Sequence, residues 1–453
     1  MNKPEDALRN YQEELAIWRQ LGQKRGVALS LNEMAKVQNI LGDNKNALSN
    51  YQQALAIRRE IGDKRGLSDT SIDLANFYAD RGDHDQALKM YKEALQIERD
   101  IGNEIMQALC LNNIGAVYFE KAQYEDARTY YQQALELREK VKAPEGIVES
   151  VHNLAETSAR MGQYDQAVTQ YMRALDLWRS MDDKRGAAIE SYTLGILFDN
   201  QGRFGAALKS TLDALKTFQD LKDKTTWMAE IGGGYGQALT LAGRGEEAKT
   251  YLMDALNLAR ELKNDGIESE ILAFQGNVAY YRGDSKSAGA LYEQALQAAT
   301  RSKEPDRILV ARLALARIAA NEGSPQQAIN SLRQLTQQAD EQGVPNISVE
   351  CSISAAEAMI RNHDYARAQQ ELEHALLQAD KIGLKPLSAK AQYLLGNSIR
   401  ASGNQAEAQT HYRNTLQLLD GMRQETGADK ILERSDFKSM HDEAARWAQP
   451  AKS

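Results

Sequence analysis

One alanine recurs along this chain at a fixed interval: Ala7, Ala47, Ala87, Ala127, Ala167 and Ala207, then, after one longer step, Ala248, Ala288, Ala328, Ala368 and Ala408. A spacing of this size, held in phase from end to end, constrains the fold more than any other feature of the sequence. It marks a stack of similar supersecondary units, none of which can bury its apolar face alone. In the best-kept copies the alanine is followed four positions on by tyrosine and then by Ala-Leu, as in Ala47, Tyr51, Ala54, Leu55 and in Ala127, Tyr131, Ala134, Leu135. The units around Ala328 and Ala368 carry Leu332 and Leu372 at the tyrosine position, and the phase holds through them.

A second element precedes each alanine. In Leu111, Ile114, Gly115 and Tyr118 the steps of three, one and three place all four residues on one face of a helix. Gly42, Gly82, Gly162, Gly202, Gly243, Gly283, Gly323 and Gly403 stand five residues before the alanine, where a helix must stop and turn. Prolines obey the same phase. Pro144, Pro305, Pro345 and Pro386 open first helices, and Pro4 and Pro325 open second helices, where a missing N–H costs least. Each unit is therefore a helix, a short turn and a helix. Small residues such as Ala75, Gly115, Ala155 and Gly195 let the paired helices approach closely.

The pattern resembles the tetratricopeptide repeat, in which a helix with W-x2-L-G-x2-Y is followed by one with A-x3-F/Y-x2-A. The resemblance covers residues 1 to about 424. The period here is 40 rather than 34 and the closing proline is absent, with longer linkers such as Gly62-Asp63-Lys64-Arg65-Gly66 in its place. Such long units are similar to those of kinesin light chain and of bacterial signalling proteins that carry repeats behind an effector domain such as a Ser/Thr kinase. The resemblance implies an all-α, right-handed superhelical solenoid of about ten helix-turn-helix units with a concave inner wall.

The expected organisation is the second helix of an incomplete repeat over 1–25, ten units over 26–424, and a capping helix with a polar tail over 425–453. At the first segment only the second helix of a unit is present, so Leu8, Tyr11, Leu15 and Trp18 are expected to lack the first helix of their own unit, which points to an upstream segment or to self-association through that end. At the other end Phe437, Met440, Ala444 and Trp447 form an amphipathic stripe behind Ser435, read as the cap. The run Gly232-Gly233-Gly234-Tyr235-Gly236 falls where a first helix belongs, beside the one longer step. A hinge or kink is expected over 221–245.

Chemistry is sparse. The six histidines form no H-E-x-x-H and pair with no cysteine at metal spacing, so no metal and no cofactor are expected. The glycine run lacks the Lys-Ser/Thr of a phosphate loop, and the signatures of kinases, dinucleotide-binding folds and G-x-S-x-G hydrolases are absent. No catalytic residues are assigned, and the chain reads as a non-enzyme. Cys110 and Cys351 occupy one repeat phase and read as reduced, structural thiols. A net charge of -8 without a basic block disfavours nucleic acid and anionic membranes. No apolar run of 18 residues or signal peptide occurs, which gives a cytoplasmic expectation.

What remains is a binding wall. Most tyrosines fall at packing positions, but Tyr192, Tyr280, Tyr281 and Tyr393 face the concave side by phase, together with Asn32, Asn76, Asn112, Asn277 and Asn397. Side-chain amides can donate to and accept from an extended peptide backbone, which is how the family often grips partners. Charges on the same wall change sign. Asp69, Asp80, Glu120, Glu149, Glu156, Asp199, Glu230 and Glu270 stand against Lys36 and Arg160 in the first seven units, and Arg317, Arg361, Lys390 and Arg400 against Glu350 and Glu357 in the last three. The partner is expected to be a protein or peptide, held by a scaffold within a larger signalling protein. The alternative is a sensor whose superhelix switches when a peptide binds.

Overall fold

The computed structural model describes residues 4–448. Among them every regular element is helical: twenty-two α-helices, from Pro4–Gln20 to Ser435–Trp447, and a single 3-10 turn at Ile431–Glu433. The repeat helices are 16 to 19 residues long, and each pair forms as the sequence phase requires. The anchor alanines Ala47, Ala87, Ala127, Ala167, Ala207, Ala248 and Ala288 have no exposed surface. Tyr51, Tyr91, Tyr131, Tyr171, Tyr292 and Tyr412 are buried beside them, and Leu332 and Leu372 fill the same place where tyrosine is lacking.

The turns share one construction. Residues with left-handed backbone recur every twenty positions, at Gly42, Gly62, Gly82, Gly102 and onward to Gly383 and Gly403. Ala122, Lys142, Asp182, Lys222, Lys263, Lys303 and His363 adopt the same conformation where glycine is absent, so the turn is set by the stack and glycine only eases it. An aspartate or asparagine often follows and accepts from the N–H three residues on, as do Asp43, Asp83, Asn103, Asn264 and Asp284. Gly323 ends its helix as the phase requires but not in left-handed backbone: its φ is -92° in extended backbone, in the turn that carries Ser324-Pro325.

The glycine run does not interrupt its helix: Thr226–Leu241 passes unbroken through it, and the extra residue of the longer step sits in the linker, where Asp223 accepts from the N–H and hydroxyl of Thr225. The glycines are sites of close approach instead. A Cβ on Gly233 would lie 3.0 Å from Ile271, one on Gly234 2.3 Å from the Tyr192 ring, and one on Gly236 2.6 Å from Leu252.

The chain divides into two compact units, Met1–Thr157 and Ser158–Ser453. In the first, Lys24–Ile40 packs on its own second helix and also on the next first helix, Lys64–Ala79. In the second, Thr226–Leu241 does the same with Asp265–Tyr281, and Pro305–Glu322 with Pro345–Arg361. First helices therefore form the inner layer of each stack. The second unit closes on itself. A Cβ on Gly162 would meet Ile382 at 2.6 Å, and one on Gly202 would meet Met422 at 2.6 Å and Pro386 at 2.9 Å. Ile382, Leu384 and Met422 are buried at this seam, and Arg160 reaches Asp306 at 3.2 Å.

Candidate functional site

In the second unit the inner wall surrounds a cavity of about 500 Å³, lined by Asn277, Tyr280, Tyr281 and Tyr393 together with Asp199, Gln237, Arg317, Glu350, Glu357 and Lys390. Successive first helices supply these residues, and their charges are mutually paired. Arg317 meets Glu350 at 2.6 Å and lies over the Tyr280 ring, 4.8 Å from its centre. Lys390 meets Glu357 at 2.7 Å. Burial alone would lower both cationic pKa values, but the facing carboxylates and tyrosines outweigh it and hold them raised. Toward the acidic side, Arg307 bridges Glu270 and Glu304, and burial together with the Glu270 charge pushes Glu230 up to about 7.

Part of the cavity wall comes from the chain's own C-terminal arm, through Arg434, Ser435, Asp436, Phe437 and Met440. Past the helix Gln405–Arg423 the arm follows the repeat turns. Glu425 accepts from the N–H of Gly205 at 3.0 Å, and the Lys430 carbonyl lies so close to Gly243 that a Cβ there would stand 1.8 Å from its oxygen. The helix Ser435–Trp447 then presents Phe437, Met440 and Ala444, all buried. Arg434 is 5% exposed; it donates to the Leu241 carbonyl at 3.2 Å, pairs with Asp436 at 2.7 Å and stacks over Tyr281 and Phe437. Glu443 accepts from the Tyr393 hydroxyl and faces Arg400, whose guanidinium also covers Trp447.

Of the residues singled out in the sequence, Tyr280, Tyr281, Tyr393 and Arg400 thus converge on one segment of this same chain. Asn277 borders them but spends its carbonyl oxygen on the Tyr292 hydroxyl, at 2.7 Å. Asn397 does the same for Tyr412 at 2.7 Å, and Asn76 for Tyr91. Asn277 and Asn397 follow the glycines against which the Tyr292 and Tyr412 rings pack, and the carbonyl oxygens of all three asparagines are engaged within the fold. Tyr192 is 2% exposed against Gly234 and presents no ring surface to a groove. Arg361 donates to the carbonyls of Ala320 and Gly323, closing the end of a neighbouring helix. Glu270 is tied to Arg307 at 2.6 Å.

In the first unit the candidates make a separate ladder. Asn32 is buried and donates to Asp73 at 2.8 Å. Asn112, also buried, donates to Glu149 at 2.9 Å and accepts from Arg138 and Asn153. Arg138 pairs with Glu149 at 2.8 Å, and Glu156 stays half-buried beside Tyr131. An acidic wall is therefore partly neutralised from within. Arg434 and Glu443 escaped notice in the sequence because they lie outside the repeat phase; the spacing of Phe437, Met440 and Ala444 was the available signal. Ser435 does not cap the helix. It is the first helical residue and turns its hydroxyl toward the Tyr280 carbonyl, while extended Arg434 takes the cap position without a side-chain bond. Among the described residues no group of histidine, cysteine and acidic side chains is placed to hold a metal ion, and no helix is long and apolar enough to cross a membrane.

The geometry defines a helical-repeat solenoid whose first helices line an inner wall. Tetratricopeptide-repeat family profiles match residues 1–60, 67–140, 147–220 and 354–418, and the chain belongs to that family. No curated protein sequence matches it. Among solved structures it is similar to the apo form of the quorum sensor NprR from B. thuringiensis, at 13% identity, over 74% of this chain and 98% of that one, with a TM-score of 0.54. Aspartyl phosphate phosphatase F from Bacillus subtilis matches at 14% identity over 63% and 73%, with a TM-score of 0.51. The apo form of RapI matches at 15% identity over 61% and 98%, also at 0.51. At these identities the likeness is one of fold.

Proposed function

We propose that this chain is a non-catalytic scaffold whose second unit binds a peptide or a segment of a partner protein on its inner wall. The carrying observation is that this wall already holds a peptide segment: Tyr280, Tyr281, Tyr393 and Arg400 engage the C-terminal arm through a stack, hydrogen bonds and an ion pair. Paired charges on successive helices leave polar groups facing the cavity at little cost in net field, which suits orientation of a ligand more than raw affinity. The quorum sensor among the similar structures favours a second reading, a peptide-responsive regulator; in this chain the arm and the seam would be the parts that change. A role within a larger signalling protein belongs to the same proposal.

Peptide display against the full chain tests the first reading. Selected peptides are expected to lose at least tenfold in affinity when Tyr393→Phe is combined with Arg400→Ala, and to be indifferent to Met172→Ala, an exposed residue on a second helix. Binders that ignore the inner-wall pair, or a display that yields none, would overturn it. Small-angle scattering separates the second reading: an unchanged radius of gyration with a selected peptide bound excludes the switch.

A further inference from the structure

The arm itself describes the ligand. Four of its side chains, Arg434, Phe437, Met440 and Glu443, recur at intervals of three along one stretch and each meets a different part of the wall. Arg434 seats its guanidinium on Tyr281 and the Leu241 carbonyl; Phe437 is 2% exposed with its ring 6.4 Å from that of Phe204; Met440 is 5% exposed; Glu443 answers Tyr393 and Arg400. One carboxylate oxygen of Asp199 is buried without a hydrogen-bond partner, and burial pushes this carboxyl well above the usual carboxylate range although the Arg434 charge opposes it. The wall therefore offers an aromatic face and a main-chain carbonyl as the seat for a cation, then an apolar socket, then a donor pair for a carboxylate.

The attachment is that of a removable occupant. The helix has 13 residues, a length that is marginal in isolation, and it joins the last repeat through a stretch whose nearest approach to Gly243 is made by the backbone of Lys430 and Ile431. A segment tethered by so short a link competes at an effective concentration in the millimolar range. An untethered segment of equal affinity cannot displace it below that level, but one with better contacts can, and weakening the arm admits both.

Resting on the binding role proposed above, we propose that the second unit's groove recognises a short amphipathic helix with an arginine at its cap position and then, at successive intervals of three, phenylalanine, methionine or a similar apolar residue, and glutamate, and that the C-terminal arm occupies this site until such a partner helix replaces it. The site is an external ligand's site held shut in cis.

The probe is a fluorescent synthetic peptide of residues 430–448, titrated by anisotropy into the full chain and into two full-length variants. Phe437→Ala removes the arm's own anchor, and Gly243→Ala expels the Lys430 backbone without touching the wall. Both are expected to bind the peptide at least tenfold tighter than the unaltered chain, and a peptide with alanine at the positions of Arg434 and Phe437 should not bind. Circular dichroism establishes that the variants are folded, and hydrogen exchange that the arm is released. Equal binding to all three chains, or no binding to a folded variant with a released arm, overturns the proposal. If the display-selected peptides still depend on Tyr393 and Arg400 in that case, the binding role stands and only the assigned ligand chemistry fails.

Discussion

Replacing Gly243 by alanine separates the turn's own needs from those of the arm. The variant adds two demands: a left-handed backbone for a residue with a Cβ, since φ at this glycine is 80°, and room for that Cβ 1.8 Å from the Lys430 carbonyl oxygen. The first is measured by Gly82→Ala, at an equivalent turn with φ of 71° and nothing within 4 Å of the added methyl. Ala122 already occupies this kind of turn at φ 54°, so the backbone demand is met at a cost of about 1 kcal/mol. The second demand cannot be met by a side-chain rotation, because the obstacle is main chain. Lys430 must move, and with it the adjoining Ile431 and the helix that seats Phe437 and Met440, all buried. Hydrogen exchange resolves the two effects. Gly82→Ala should leave protection across residues 435–447 unchanged, whereas Gly243→Ala should speed exchange there by tenfold or more, corresponding to about 1.4 kcal/mol of lost docking. If the two variants lose similar thermal stability and the arm's amides stay protected in both, the arm is not held at Gly243 and the reasoning fails.

Glu230 gives a pH dependence. Its folded pKa of about 7 lies above the ordinary value of 4.5, so the folded state binds the proton more tightly. Stability should then be greatest at low pH within that window and fall as pH rises from about 4.5 through 7, with the penalty fully present above it; thermal midpoints at pH 5.5 and 8 should draw together in Glu230→Gln. The thiols should be inert. Burial pushes Cys110 up to about 12 and Cys351 also upward, so a disulfide-exchange reagent should label neither in the native chain and both in denaturant. Gly186→Ala should cost about 1–3 kcal/mol, because the new methyl would stand 2.6 Å from the Trp178 ring; combining it with Trp178→Leu should recover part of the loss in a double-mutant cycle of chemical-denaturation midpoints.

The repeat was legible because each unit restates the same packing problem, and Ala47, Tyr51 and their phase mates answer it with the same side chains. A second column of glycines went unread. Gly26, Gly66, Gly146 and Gly186 each lie under a large side chain eight residues earlier, Trp18, Arg58, Arg138 and Trp178, so the glycine accompanies the bulk it accommodates. Two residue types at that distance, with tryptophan and arginine exchanging places, leave little periodic signal. Phase alone also could not tell a groove tyrosine from a core one. Tyr192 and Tyr280 both belong to first helices, yet Gly234 draws one ring inward, while the other lies under Arg317 on the wall. The arm's destination was illegible for a different reason: it depends on contacts between residues more than a hundred and fifty positions apart, such as Ser435 with Tyr280 and Arg434 with Leu241, which no local pattern records.

The seam that joins Gly162 to Ile382 and Gly202 to Met422 changes what kind of array the second unit is. An open solenoid can gain or lose a repeat at the cost of one interface, because each repeat touches only its neighbours. Here two pairs of contacts share one offset of 220 residues, so removing a single repeat between them would bring the wrong turn opposite Gly162 and Gly202 alike. A gain or loss of one repeat between the two sides of the seam would therefore break both contacts at once, so the second unit should tolerate substitution within repeats far better than a change in repeat number, much as a closed barrel resists a change in strand number.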